Sequence, residues 1–400
     1  MLIGSNGRIE AVGPAELVPA PPGVPELSFA GAALMPGLIN AHTHLELTGL
    51  AGQVDEADFA AWIRGVRHLK SKLTPEWFEA AARQGVRDGF AAGITTFLDT
   101  GDSGAAVAAL VELGGAGVAY QEVFGPDPRH AGDSLEGLRS RVAELAPQTA
   151  GGRVRLGVSP HAPYTVSGPL YRGVAEFAAA AGLPMAVHLA ESPAESMLVT
   201  RHEGPFALAW EGRGIPPIAL HGLVPAAARR SPVAWLDAHG VLGKDTLCIH
   251  VVQLDQSDIQ VLAARQTPIA HCPCSNARHG HGAAPLAALL AAGLRVGVGT
   301  DSVISVGVAD LWAEIRAAQR LGGLTPRQSL GLATMEGARL IGAEALVGWL
   351  GAGTFADLIA VELASGPNDQ PVEARLLASA PGNILATFAS GRAVYRRGAA

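Results

Sequence analysis

Four hundred residues, 48% of them apolar and only 16% charged, can bury a large core, which excludes a disordered chain and a small binding module. The net charge is −7 with no long basic run, which argues against nucleic acid as a partner. Three cysteines (Cys248, Cys272, Cys274) make no disulfide framework, no stretch approaches the ~18 apolar residues of a membrane span, and "MLIGSNGRIEAVGP" lacks a signal-peptide pattern, so a cytoplasmic protein without a membrane partner is expected.

In chain order, residues 1–36 carry short β-like runs among Gly and Pro and no helical rhythm. From 37 to 344, apolar strand candidates alternate with Ala/Leu-rich helical patterns. The strands are 37–42, 94–99, 118–123, 154–160, 185–190, 246–250, 267–272 and 294–301, and the clearest helices are 75–93 and 257–265. Eight strand–helix units predict an α/β fold, a distorted (β/α)₈ barrel over residues 37–344. Residues 345–400 lose the rhythm again, and with 1–36 they predict one small β-sandwich domain built from both termini. The segment 204–230 shows neither period and reads as an insertion at the mouth of the barrel.

Polar residues cluster at the C-terminal ends of these strands, where barrel active sites are built. His42 and His44 stand two apart at the end of the first strand, a spacing that turns both to one side. His161 ends the fourth, His188 the fifth, His250 the sixth and Asp301 the eighth. His42 and His44 alone could be a hydrogen-bonded structural pair, but with His188 and Asp301 they make a site for one divalent ion. Zn²⁺ is the first choice, with Fe²⁺ and Mn²⁺ as alternatives. Such a site leaves a position for water and lowers its pKa from 15.7 towards ~7. Glu191, three residues after His188, is a proton-transfer candidate or else a helix N-terminal charge. His250 and His161 are placed to hydrogen-bond the activated water or the substrate, with a core histidine as the alternative for each.

Other patterns fall short. "HCPCSN" (271–276) has no second cysteine pair, and the P-C-x-x-C of cytosine deaminases fails because residue 277 is alanine. His279 and His281 in "ARHGHG" read as loop residues. No G-x-x-x-x-G-K-[ST] loop or H-E-x-x-H helix occurs.

"MPGLINAHTHLE", "SPHAPYTVS", "VHLAES", "HCPCSN", "GVGTDS" and "GAGTFADLIAVE" together resemble the amidohydrolase superfamily, in its branch of chlorohydrolases and nucleoside or nucleobase deaminases. The likeness runs through essentially the whole chain. It implies that His42, His44, His188 and Asp301 are the metal ligands, that Glu191 shuttles protons, that His250 contacts the activated water or substrate, and that His161 contacts substrate. Two-metal members commonly carry a bridging lysine at the end of strand four; here no lysine lies between Lys72 and Lys244, which favours one metal, and only Glu122 supports a two-metal variant.

The resemblance further implies hydrolytic deamination. Asp301 takes a proton from the water, which attacks an amino-bearing ring carbon; Glu191 protonates the adjacent ring nitrogen, and ammonia leaves. The pattern is most similar to the branch of 6-aminodeoxyfutalosine deaminases of menaquinone biosynthesis, whose substrate is an adenosine-like nucleoside carrying a benzoate. Arg201, Arg213, Arg229 and Arg230 are candidates for its carboxylate, or else solvated charges. Phe59 and Trp62 are candidates to pack on a purine, or else core residues. The alternatives are deamination of S-adenosylhomocysteine, methylthioadenosine or another amino-heterocycle, a chlorohydrolase-type reaction, and a metal-binding barrel without turnover. The expected partner is a small-molecule substrate, with a homodimer left open.

Overall fold

A computed structural model describes residues 1–217, 230–363 and 370–398. Strands β1 (Leu2–Ile3), β2 (Ile9–Ala11) and β3 (Ala32–Pro36) precede eight parallel strands. These are β4 (Leu38–Thr43), β5 (Ile94–Gly101), β6 (Ala116–Val123), β7 (Val154–Pro160), β8 (Met185–Leu189), β9 (Thr246–His250), β10 (Ile269–His271) and β11 (Val296–Val298). They pair in chain order from β4 to β11, which is the nearly closed barrel expected.

Burial follows the two-residue period of a strand. Register pairs Val187 with Cys248 and Cys248 with Ile269. These three pack with Val174, Leu262, Leu289 and Ile315 of the surrounding helices, so they face outward. Their neighbours Ala186, Ile249 and Ala270 join Ile39, Leu98 and Val118 in a second cluster that fills the barrel, with Ala338, Leu340 and Val347 packed against it. With both faces covered, the strands read as continuous apolar runs.

The helices begin where side chains can cap them. Thr74 Oγ1 accepts from Trp77 N ahead of the helix Pro75–Ala91, and Asp255 forms a capping box with Asp258 ahead of Gln256–Ala264. The eighth strand is shorter than its apolar run suggests, because the chain turns at Gly299–Asp301 into the barrel mouth. The seventh stops at His271, with Pro273 opening the helix Pro273–Arg278. Within 204–230, where neither period was legible, the described part holds the short helix Pro205–Glu211, and 218–229 lie outside the described residues.

Among the described residues, β4 and β11 meet through one bridge, Thr43 to Asp301, rather than a ladder. Asn40 secures this seam: its Nδ2 donates to Thr300 Oγ1 at 2.8 Å and its Oδ1 accepts from Thr300 N at 3.0 Å. Asp301 N donates to His42 O at 3.0 Å. The approach is close enough to require glycine, since a Cβ on residue 299 would stand 2.5 Å from His42 N and 2.9 Å from its carbonyl oxygen.

Both termini form an antiparallel sheet ordered β14 (Arg392–Arg396), β13 (Ile384–Ala389), β12 (Leu358–Glu362), β3. Ile359, Val361 and Ile384 turn to the barrel, while Leu358, Ala360, Ala386 and Phe388 pack beneath Ile3 and Ile9 of the β1–β2 ribbon. Arg153 of the barrel pairs with Asp357 at the start of β12, and Thr387 Oγ1 donates to Phe90 O at 2.7 Å. Among the described residues, no helix is long and apolar enough to cross a membrane.

Gly299→Ala is expected to lower stability by roughly 1–3 kcal/mol through overpacking of the seam, read as a fall in the urea midpoint. Gly331→Ala, in a helix with open space around it, is the matched control and should leave the midpoint unchanged or raise it.

Candidate active site

The sequence-predicted ligands meet at the mouth of the barrel. His42 is fully buried near the end of β4, and His44 sits one residue past the strand, capping the short helix Leu45–Leu47, with the two rings edge to face at 4.7 Å. His188 continues the inward parity of Ala186, and its ring lies 4.9 Å from that of His42. Ring nitrogens of His42, His44 and His188 fall within 4.8 Å of one another. Asp301 Oδ1 stands 3.4 Å from Nε2 of both His42 and His44, while Oδ2 accepts from Ser275 Oγ at 2.5 Å.

Outer hydrogen bonds orient these ligands. His44 Nδ1 meets Thr100 Oγ1 at 3.2 Å, and His188 Nδ1 donates to His161 O at 3.2 Å, which turns both Nε2 atoms inward. Among the described residues, the buried Nδ1 of His42 has no hydrogen-bond partner, and its Nε2 meets only Asp301 Oδ1, at 3.4 Å. Orphaned buried nitrogens cost free energy unless something binds them, and three imidazoles with a carboxylate are a donor set suited to a divalent ion. The residues therefore fit the metal that the sequence implies.

Charge balance leads to the same conclusion. Burial drives His42 down to about 3 and His188 well below its usual value, keeping both in the neutral, ligating form. Burial alone would raise Asp301, but hydrogen bonds from His42 and His44 hold it well below the carboxylate range. Burial works against a charge on His44 too, yet Asp301, Glu122 and Asp99 lift it to about 9. The site draws one positive charge to that position, which a cation can supply in place of a proton.

Beside the ligands lies an acid–base wall. Glu191 is buried; Tyr164 Oη donates to its Oε2 at 2.8 Å, and its Oε1 lies 3.5 Å from His250 Nε2 and 3.8 Å from His281 Nδ1. Burial, then the charge of Asp301, push Glu191 up to about 8. Glu195 accepts from the backbone N–H groups of Ala190 and Glu191, so the "ESPAES" stretch fixes the Glu191 backbone as well as opening a helix. Strict strand alternation would send His250 outward with Cys248. Instead His250 (φ +73°) and Val251 (φ +44°) adopt left-handed backbone, and the His250 ring returns to 5.5 Å from His188. Asp301 (φ +58°) is held the same way, a conformation costing of order 1–3 kcal/mol per residue.

The motif "HCPCSN" contributes through residues other than its cysteines. Ser275 holds Asp301, and Asn276 Oδ1 meets His250 Nδ1 at 2.9 Å, leaving Nε2 to face Glu191. Tyr164, inside "SPHAPYT", was not singled out from sequence, although the motif contains it. His281 is buried beside Glu191 and Phe59 rather than in an open loop, and His279 lies 4.5 Å from Trp62.

A cleft of about 1580 Å³ opens over the site. Trp62 and Phe59, stacked at 5.9 Å on the helix Phe59–Lys70, form part of its wall, and His161 and Glu122 line its floor. Arg213 lies over the Trp210 ring at 5.0 Å and faces the cleft together with Arg64 and Arg67, which the sequence reading missed. Arg201 and Arg230 are elsewhere. Arg230 is tied to Asp258 at 3.0 Å, Arg201 is exposed at a helix end away from the cleft, and Arg229 lies outside the described residues.

The sequence model of the amidohydrolase family matches residues 33–394. A 5-methylthioadenosine/S-adenosylhomocysteine deaminase of Moorella thermoacetica is 32% identical over 98% of this chain and 89% of its own. Two solved structures share the fold: an adenosine deaminase from Xanthomonas campestris with bound zinc, and an aminofutalosine deaminase from Helicobacter pylori in complex with methylthio-coformycin. The first has a TM-score of 0.79 at 24% identity, covering 97% of this chain and 86% of its own. The second has a TM-score of 0.81 at 20% identity, covering 98% and 94%. With a match of this extent, the chain belongs to the amidohydrolase family and is a hydrolytic enzyme acting on C–N bonds.

Proposed function

We propose that the chain is a metal-dependent hydrolytic deaminase of an adenosine-like nucleoside, with His42, His44, His188 and Asp301 holding one divalent ion, zinc before Fe²⁺ or Mn²⁺. The observation that carries this reading is Glu191, a buried carboxyl beside the ligand cluster with one oxygen fixed by Tyr164 and the other left towards the cleft. A bound ion would supply Lewis acidity and lower the pKa of a water towards ~7. Asp301 takes the proton of the attacking water. Glu191, kept protonated by burial, donates to the ring nitrogen beside the amino-bearing carbon, and His250 Nε2 hydrogen-bonds the oxygen added there. One water is consumed and one ammonia leaves.

Trp62, Phe59 and His279 offer an aromatic wall for the purine, and His161 faces the substrate from the end of β7. Arg67 and Arg213 have no acidic partner among the described residues, and burial followed by the charge of Arg67 lowers Arg213. Such a pair suits a carboxylate on the 5′ substituent. The motif pattern makes 6-aminodeoxyfutalosine, and with it a place in menaquinone biosynthesis, the first candidate. S-Adenosylhomocysteine and methylthioadenosine are the second reading, favoured by relatives above 30% identity.

Zinc-loaded protein should release ammonia from 6-aminopurine nucleosides, with aminodeoxyfutalosine giving the highest kcat/KM in a panel containing both rivals and adenosine. No release from any of them would remove the nucleoside reading. Glu191→Gln should keep its metal while kcat falls by roughly 100- to 10,000-fold. Turnover near that of the wild type would take Glu191 out of the chemistry. In His188→Ala, bound zinc should fall from one ion per chain towards none, measured by plasma mass spectrometry after dialysis.

A further inference from the structure

Glu122 closes the end of β6 and lines the cleft floor. It is buried, and its Oε1 has no hydrogen-bond partner among the described residues. Its carboxylate lies within 4.8 Å of ring nitrogens of His161 and His188, a grouping that could in principle hold a second ion. That reading conflicts with the first site. His188 Nδ1 already donates to His161 O, so only Nε2 remains, and one nitrogen lone pair cannot serve two ions. With His188 committed to the ligand cluster, Glu122 keeps a single imidazole partner, too few for a cation site. His161 Nδ1 is occupied by Thr165 Oγ1 at 2.8 Å, so its Nε2 is left for the cleft, with no hydrogen-bond partner among the described residues.

What remains is a carboxyl group beside one imidazole, lining a cleft, with its buried Oε1 unsatisfied among the described residues. An orphaned buried acceptor is costly, and a ligand supplying hydroxyl donors removes that cost. A vicinal diol matches a carboxylate, because its two O–H groups can reach the two oxygens. We infer that Glu122, seconded by His161, is the receptor for the sugar hydroxyls of the substrate, so the enzyme selects ribonucleosides over their deoxy counterparts. This rests on the nucleoside deaminase reading above. Lys70 flanks Glu122 without bonding it: its ammonium is held by Glu46 and Asp102, at 2.5 Å each, which leaves the Glu122 oxygens free of it, while burial, opposed by the charges of His44 and Lys70, raises the group to about 7.

The test crosses one residue with one substrate atom. Deamination is measured for wild type, Glu122→Gln and Glu122→Ala on the best-accepted nucleoside and on its 2′-deoxy and 3′-deoxy forms. In the wild type, removing a contacted hydroxyl should lower kcat/KM by roughly 10- to 100-fold, the effect of one charge-assisted hydrogen bond. In Glu122→Ala the same removal should cost less than about threefold, because the acceptor is already gone. Equal discrimination in wild type and variants overturns the inference, as does a wild type holding two ions per chain that falls to one in Glu122→Gln. If both variants misfold, the wild-type series decides, and indifference to either hydroxyl overturns the inference. A wild type that releases no ammonia from any nucleoside fails earlier, by sinking the deaminase reading itself.

Discussion

The site depends on one carboxylate buried among imidazoles. Asp301 lies at the bottom of a cleft, out of bulk water, and only His42, His44 and Ser275 make its charge tolerable. Desolvation of that charge, together with the unpartnered Nδ1 of His42, sets up a demand for positive charge at one point. The carboxylates around His44 favour its charged form, and a divalent ion held by the four proposed ligands would meet the same demand. The same excess of burial raises Glu191, so the proposed proton donor and the proposed metal ligands lie side by side in one low-dielectric pocket.

Holding that arrangement falls to the barrel seam. His42 comes from the first barrel strand and Asp301 from the turn just after the last, and among the described residues these two edges share a single bridge rather than a ladder. The Asn40–Thr300 hydrogen bonds and the missing side chain at Gly299 bring the two strands close enough for their side chains to share an ion. The left-handed residues His250, Val251 and Asp301 sit at this same rim, where the strands hand over to loops. Backbone strain and catalytic candidates therefore coincide, while the rest of the barrel follows ordinary strand alternation.

Much of this was legible in the sequence, for definite reasons. Parallel strands covered on both faces leave unbroken apolar runs, so the eight units and the strand-end positions of His42, His188, His250 and Asp301 could be located by counting. What stayed hidden depends on backbone turns and on contacts distant in sequence. The inward turn of His250 needs a positive φ that periodicity does not register. The pairings of Ser275 with Asp301 and Asn276 with His250 made "HCPCSN" look like a thiolate motif without a partner, because the functional side chains stand beside the conspicuous ones. The cleft-facing Arg64 and Arg67 lie on a helix whose cleft side also carries the apolar Phe59, Trp62, Ile63 and Val66, so amphipathic pattern alone would place the arginines in solvent.

The proposed chemistry rests on a single ion held by three imidazoles and one carboxylate. Zinc K-edge X-ray absorption on zinc-loaded protein tests it most directly. The expected spectrum shows one zinc per chain with only nitrogen and oxygen neighbours at about 2.0–2.2 Å, outer-shell scattering from about three imidazoles, and no metal–metal vector. A zinc–zinc vector near 3.5–4 Å, or sulfur scatterers at about 2.3 Å from Cys272 or Cys274, would contradict it.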